Sequence, residues 1–455
     1  MKAGDRMIIE EVVVEKFLNG GDGLAHGVEG KPLFVKGAYP GEIVDVKVIK
    51  DKKNYAVCEP VKWKYKIEER NMPVCKVFDR CGACDWLDLD YSVQLMHKRK
   101  IVEEQFERLG KMDVSDRIKD VLPSPEYYGF RNKMTYFFAP DGRDIILGLK
   151  EKGSSRVVEP RGCKVVPGSF DKIRVVVQKM FNELFSVEDI HSSKNRKGNL
   201  RGICLRKTQY TGQIMLIIIT QERNFRPLTL IKTELQETLP FLDSVIHLNT
   251  KKKNLLSGLY NTVAGSGVIT EHIDWFDYNI PPNAFFQVNA FMLKPMLEKT
   301  KEMLKPDKKR RLLDLYGGVG FFSIYLAPLY NEVVLVESHK DAVKTALANA
   351  GMNKIDNMRT EKLTVEKFTE TEKMTNIHYD DVILDPPRAG VDPEVIDRIA
   401  NARPERVLYT SCDLGTLVRD AKRLIEKGYR ISEIQPLDMF PHTSHIENII
   451  RFERV

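Results

Sequence analysis

The stretch Arg311-Leu312-Leu313-Asp314-Leu315-Tyr316-Gly317-Gly318-Val319-Gly320-Phe321-Phe322-Ser323-Ile324-Tyr325-Leu326 decides the fold. Arg311–Leu315 is a short apolar run of strand character, and Phe321–Leu326 is an apolar run of helical character. The glycines between them let the backbone turn tightly and let a ligand approach it closely. Working outward, residues 333–336, 382–384 and 407–409 are further strand-like runs, with helical patterns at 341–349 and 414–426. Alternating strand and helix argues a doubly wound, mainly parallel sheet over residues 276–455. Ligands in such sheets sit at the carboxyl ends of the strands, so the residues just after each run are the candidates.

Cys412 stands at such a position, in Leu408-Tyr409-Thr410-Ser411-Cys412-Asp413. A deprotonated thiol attacks electron-poor carbon, and a helix starting just after Cys412 is expected to lower its pKa. The plainer alternative is a buried small hydrophobe, against which Thr410, Ser411 and Asp413 weigh. Glu447 lies beside His442 and His445, ahead of the apolar pair Ile449-Ile450, and is a candidate base. Asp385-Pro386-Pro387-Arg388 closes another run; two prolines make a rigid turn that aims the aspartate at the crevice or merely ends the strand. Glu337 ends the run after the glycine loop, where a carboxylate accepts ribose hydroxyls. A dinucleotide fits such a loop, but the third glycine of that fingerprint is missing. Asp314 ahead of the glycines suits S-adenosylmethionine, which carries ammonium and sulfonium groups.

The rest of the 455 residues bounds the problem. A net charge of +7 fits a nucleic-acid partner without requiring one. Basic runs occur at Lys194-Asn195-Arg196-Lys197 through Arg201 to Arg206-Lys207, at Lys251-Lys252-Lys253 and at Lys308-Lys309-Arg310-Arg311. Each is a solvated loop or a phosphate contact, and their number favours the second. Residues 1–62 read as a small β-barrel, with Val44, Val46 and Val48 alternating with polar positions; such barrels bind oligonucleotides or serve as structure. Residues 63–89 and 121–275 read as a central α+β domain. The helical stretch 90–120 is expected to pack on the C-terminal domain. Met1-Lys2-Ala3-Gly4-Asp5-Arg6 lacks a long apolar core and no run suits a bilayer, so we expect a cytoplasmic protein that meets no membrane. Seven cysteines and no secretion signal argue against a disulfide framework. Cys75, Cys81 and Cys84, with distant Cys163, offer four thiolates, which suit zinc or an iron–sulfur cluster alike. Cys58 and Cys204 read as core thiols.

Together these motifs resemble the RNA uracil-5-methyltransferases that use S-adenosylmethionine. The resemblance rests on Phe285-Phe286-Gln287-Val288-Asn289, Asp314–Gly320, Asp385-Pro386-Pro387-Arg388-Ala389-Gly390, Tyr409-Thr410-Ser411-Cys412 and His445-Ile446-Glu447. Gly20-Gly21-Asp22-Gly23-Leu24-Ala25 and Pro40-Gly41-Glu42 resemble a TRAM domain, an OB-like RNA-binding barrel. Gly317 stands where that family more often has cysteine. The resemblance implies a Rossmann-like methyltransferase domain with Cys412 as nucleophile and Glu447 as proton acceptor. It implies cofactor contacts from Gln287, Tyr316, Glu337 and Asp385, and a [4Fe-4S] cluster on Cys75, Cys81, Cys84 and Cys163, with zinc as the alternative. It implies RNA as substrate, 23S ribosomal RNA ahead of transfer RNA, and a monomer. RNA cytosine-5-methyltransferases place a second cysteine after the paired prolines, where this chain has Arg388. A non-catalytic RNA-binding scaffold is disfavoured by the intact Cys412, Glu447 and glycine loop.

Overall fold

The computed structural model describes residues 7–27, 30–192 and 197–455. Residues 1–6, read above for a leader, lie outside the described residues, as do Lys194, Asn195 and Arg196 of the first basic run.

Six strands come first: β1 (Ile8–Val13), β2 (Lys16–Phe17), β3 (Gly23–His26), β4 (Pro32–Val35), β5 (Ile43–Asp51) and β6 (Ala56–Tyr65). They form one sheet in the order β1-β5-β6-β4-β3-β2 around a small core of Val12, Ala25, Leu33, Val35, Val44, Val46 and Cys58. The alternating valines of β5 point inward, as a half-buried strand requires. Helix α1 (Tyr91–Gln105) continues as a wider π turn, Phe106–Gly110. Its Ile101, Val102 and Phe106 share a core with Leu417 and Val418 of the C-terminal part.

The middle sheet holds β7 (Lys133–Asp141), β8 (Asp144–Lys150), β9 (Val157–Val158), β10 (Leu200–Lys207), β11 (Ile214–Thr220), β12 (Ser244–Asn249) and β13 (Leu259–Gly265). Helices α2 (Gly168–Leu184) and α3 (Leu228–Thr238) bury their apolar stripes in its core. Every residue of β11 is buried, which explains its apolar run over residues 214–219. Cys204 is buried in β10.

A hairpin, β14 (Ile269–Ile273) and β15 (Phe276–Ile280), leads to helix α4 (Leu293–Leu304) and the last sheet. The expected change of style at residue 276 falls within this hairpin. Its Ile269, Ile273, Tyr278 and Ile280 join Phe321 and Phe322 in one core. The last sheet comprises β16 (Arg311–Leu315), β17 (Glu332–Val336), β18 (Met358–Glu361), β19 (Asp381–Leu384), β20 (Arg406–Ser411), β21 (Tyr429–Leu437) and β22 (Glu447–Arg454). Its order is β18-β17-β16-β19-β20-β22-β21, parallel up to β20, with β22 antiparallel to both β20 and β21. The connecting helices are α5 (Phe321–Leu326), α6 (Lys340–Met352), α7 (Val365–Thr369), α8 (Glu372–Asn376), α9 (Pro393–Asn401) and α10 (Leu414–Glu426). The strand order reverses between β16 and β19, so a crevice opens there.

The basic run at 308–311 sits at the opposite, amino end of β16. Arg310 binds Asp381 and Glu405, and Arg311 binds Glu332. Those two arginines hold the sheet together rather than await phosphate. Among the described residues no helix is long and apolar enough to cross a membrane.

Candidate active site

Strand register assembles the site. Antiparallel pairing sets Ser411 of β20 opposite Asn448 of β22. Cys412 follows Ser411 just past the end of β20, and Glu447 precedes Asn448 as the first residue of β22. The charge of Glu447 acts on the Cys412 thiol, so the two groups lie near one another. Residues 35 apart in sequence therefore meet because one ends a parallel strand and the other starts its antiparallel neighbour.

Arg388, just after the paired prolines, completes the group. It hydrogen-bonds the Cys412 thiol and lowers the pKa of both Cys412 and Glu447. The sequence reading gave Arg388 no role beyond not being a cysteine, and its position at the same sheet end was the signal that could have found it. The expectation of a lowered Cys412 pKa is corrected. Burial, then the Glu447 charge, pushes the thiol up to about 11 despite Arg388. The helix end that was to acidify it is already occupied, since the Asp413 carboxylate accepts the Thr416 amide at 3.0 Å. Glu447 is 5% exposed, and burial, then the charge of Asp385, holds it well above the usual carboxylate range.

These directions make a test. Arg388→Met is expected to slow alkylation of Cys412 by iodoacetamide at pH 8 by about 10-fold, one pKa unit's worth of thiolate. Site-resolved mass spectrometry across pH reads it. An unchanged profile would mean that Arg388 does not bear on the thiol.

The crevice between β16 and β19 lies alongside. Asp314 is fully buried, accepts from Ser323 Oγ at 2.5 Å, and keeps Oδ1 without a partner. Burial, opposed by the Ser323 hydrogen bonds, pushes it up to about 7. Asp385 also rises to about 7, through burial and then Asp314; its residue keeps some exposed surface, yet protein atoms crowd its carboxyl. Tyr316 takes the left-handed conformation at φ +65° as the chain leaves β16. Gly318 follows at φ +55°, and its amide donates to Glu337 Oε2 at 3.2 Å. The other oxygen of Glu337 accepts the His339 amide at 2.7 Å. A Cβ on Gly317 would stand 2.5 Å from Leu335 Cγ, so the backbone approaches β17 closely there. An unpartnered buried carboxylate oxygen, a glycine turn and a carboxylate on the next strand fit S-adenosylmethionine.

Gln287 lies in the loop after β15 and is 6% exposed. That loop is tied to the middle domain: Asn132 Nδ2 donates to the Gln287 carbonyl at 3.0 Å, and the Asn132 amide to Val288 at 2.8 Å. Phe285 beside it is 66% exposed, with Lys133 Nζ 5.9 Å from its ring centre.

The described residues can be compared with known proteins. Residues 268–455 match the family described as tRNA (Uracil-5-)-methyltransferase, and residues 9–61 match the TRAM domain. An uncharacterized RNA methyltransferase of Thermotoga maritima is 36% identical over 97% of this chain and 98% of its own length. The chain belongs to the RNA uracil-5-methyltransferase family. A second uncharacterized RNA methyltransferase, from Clostridium acetobutylicum, is 32% identical over 98% of this chain and 97% of its own. The crystal structure of the Pyrococcus abyssi tRNA (uracil-54, C5)-methyltransferase, in complex with S-adenosyl-L-homocysteine, superimposes with a TM-score of 0.76. It is 27% identical and covers 97% of this chain and 99% of that one. As a uracil-5-methyltransferase the chain depends on S-adenosylmethionine, and its N-terminal sheet is a TRAM domain.

The four remaining candidates stand apart from this site. Cys75, Cys81, Cys84 and Cys163 line one cavity, largely enclosed and apolar, with Phe78, Leu87, Pro160 and Val165. Burial pushes up Cys81, Cys84 and Cys163, the last to about 11, and the thiols raise one another. Backbone amides of Ala83, Val165 and Val166 donate to Cys81 and Cys163. Among the described residues, no three or more His, Cys, Asp or Glu side chains converge as a metal-holding group. The thiols thus share a cavity and not a coordination sphere, and the expected metal cluster is not seen in the arrangement.

Proposed function

We propose that this methyltransferase modifies C5 of a specific uridine in 23S ribosomal RNA, with Cys412 as nucleophile and Glu447 as base. The adjoining strand ends that bring Cys412 and Glu447 near one another, both within reach of the Arg388 charge, support the reading. The chemistry needs that pair: uracil C5 is a poor nucleophile until a thiolate adds to C6. The Cys412 sulfur would bond to C6 and push the C5–C6 electron pair toward O4, leaving carbanion character at C5. S-adenosylmethionine supplies an electrophilic methyl group for that carbon. Glu447 would then take the C5 proton, and the returning electron pair would expel the Cys412 thiolate, now paired again with Arg388. Burial raises Glu447 toward the basicity such a proton transfer favours. Asp314, Tyr316, Glu337, Asp385 and Gln287 are the residues that would hold the methyl donor.

The uridine must leave its stack to reach the thiol. Exposed Phe285, with Lys133 near its ring, offers a base a stacking face beside a cation. The Lys251 and Lys252 side of a cleft that also includes His339 and Asp341 adds positive charge near the cofactor crevice. Residues 1–62 act as the TRAM domain, 63–89 and 121–275 as the central RNA-binding domain, and 90–120 as a helical brace. The β14–β15 hairpin packs in a core that the middle sheet and the C-terminal sheet share. A transfer-RNA uridine is the second reading, favoured by the likeness to the P. abyssi enzyme. Incubation with labelled S-adenosylmethionine and separate 23S ribosomal and transfer RNA, followed by mapping of 5-methyluridine, tests both. Label in ribosomal RNA alone supports the first, label in transfer RNA alone replaces it with the second, and label on cytidine overturns both.

The four cysteines are proposed to hold a [4Fe-4S] cluster. A single zinc ion would draw its thiolates to about 3.8 Å from one another, given tetrahedral bonds of about 2.3 Å. Four thiols lining one apolar cavity, with backbone amides directed at two of them, suit either group, and the family resemblance favours the cluster. Anaerobically purified protein is expected to be brown and to contain about four irons per chain; stoichiometric zinc in a colourless protein would contradict this. Nothing in the methyl transfer calls for electron transfer, so the cluster's role would be structural or one of positioning the RNA.

A further inference from the structure

Three elements from outside the methyltransferase domain converge on one loop, residues 438–446, which runs directly into Glu447. The first is the cysteine-bearing segment. The Asp85 and Trp86 amides both donate to the His442 carbonyl, at 2.9 and 3.0 Å. The Asp85 carboxylate, through Oδ2, accepts from the Ser444 amide at 3.2 Å and from Ser444 Oγ at 3.4 Å. The second is α1. Gln94 Oε1 accepts the His442 amide at 2.9 Å, and Lys98 Nζ bonds Asp438 at 2.5 Å in a pair that is fully buried. The third is the TRAM turn at Gly21, where a Cβ would stand 2.8 Å from Ser444 Cβ.

The loop does not rest in a relaxed shape. His442 has φ +63°, in the left-handed region that side chains avoid. Such strain persists only where the surroundings over-determine it, and it gathers at functional sites. His442 is 2% exposed and its ring is also fixed, with Nε2 2.9 Å from the Tyr127 carbonyl and Nδ1 3.2 Å from Gln94 Nε2. Three residues beyond Ser444 the chain reaches Glu447, the first residue of β22, which pairs with Leu437 of β21 at the other end of this loop.

We propose that Asp85 is a positioning residue for Glu447: by holding Ser444 it fixes the chain that delivers the base to the C5 proton. This rests on the reading of Glu447 as that base. Cys84 is the neighbour of Asp85, so the latch stands one peptide unit from the cysteine cavity. The TRAM and cysteine segments thereby act on the elimination step as well as on RNA binding. Misplacing a reacting group by about 1 Å costs up to about 100-fold in rate.

The distinguishing property is which step slows. Loss of the latch should leave C6 addition and methyl transfer intact and stall proton removal, so the covalent protein–RNA species accumulates. Asp85→Ala is expected to lower kcat about 10- to 100-fold with an unchanged KM for RNA. Its steady-state adduct, read on denaturing gels, should rise toward that of Glu447→Gln. Asp85→Asn keeps an acceptor and should recover to within a few-fold of wild type. The Asp85→Ala, Glu447→Gln double variant should be no slower than Glu447→Gln alone. Slow turnover without adduct, a raised KM with unchanged kcat, or an additive double variant would overturn the proposal. If Asp85→Ala no longer binds S-adenosylhomocysteine, Asp85→Glu is read in the same assay: adduct build-up supports the latch, and wild-type kinetics or slowing without adduct overturns it. A Glu447→Gln enzyme that traps nothing would remove the base assignment and this inference with it. Trapping by Glu447→Gln with an adduct-free Asp85→Ala would remove the inference alone.

Discussion

Cys412→Ala is expected to lose methylation of RNA by about 10⁴-fold or more, as removal of a nucleophile costs other covalent catalysts. It should also lose every denaturation-resistant RNA complex. The side chain is only partly buried and anchors no hydrogen-bond network beyond its contact with Arg388, so the fold should be kept. Binding of S-adenosylhomocysteine, measured by calorimetry, is expected to stay within a few-fold of wild type, because the Asp314–Glu337 crevice does not use the thiol. Cys412→Ser should be nearly as inactive: a hydroxyl ionises far less readily than a thiol. An active Cys412→Ala enzyme would refute the covalent route altogether.

Glu447→Gln is expected to fail at the other end of the reaction. The amide nearly matches the carboxyl in shape and removes a charge that raises the Cys412 pKa. Thiol addition and methyl transfer should therefore proceed. The amide cannot take the C5 proton, so C6–S cleavage stalls and turnover falls about 10²- to 10⁴-fold, the usual worth of a general base. The adduct should carry the methyl group, survive denaturation and build up to one RNA per chain. Slow turnover with no adduct would place Glu447 before methyl transfer instead of after it.

Much of this site can be read from the chain because strand ends advertise themselves. Arg311–Leu315 and the glycines after it are local signals, and the structure has β16 and α5 over those same residues. The cysteine and the glutamate were each identifiable as residues bordering apolar strands. Their meeting was not, since it depends on β22 inserting antiparallel between β20 and β21. Electrostatics was the weakest inference. A helix start after Cys412 was apparent, but burial of the thiol and then the Glu447 charge reverse the expected shift. The basic run at 308–311 misled for a related reason: a charged tetrapeptide looks alike whether it faces phosphate or, as for Arg310, a buried aspartate. Least legible were the contacts between distant segments. Asp85 and Ser444 are 359 residues apart, and Lys98 and Asp438 are 340 apart. No local periodicity encodes such pairs.

The covalent route is tested most directly by RNA in which the target uridine is 5-fluorouridine. Fluorine at C5 leaves no proton for Glu447 to remove, so the wild-type enzyme should halt with RNA attached. After nuclease and protease digestion, peptide mass spectrometry should find a methylated fluorouridine on Cys412, formed only when S-adenosylmethionine is present. Attachment to any other residue, or equal trapping by Cys412→Ala, would contradict the account.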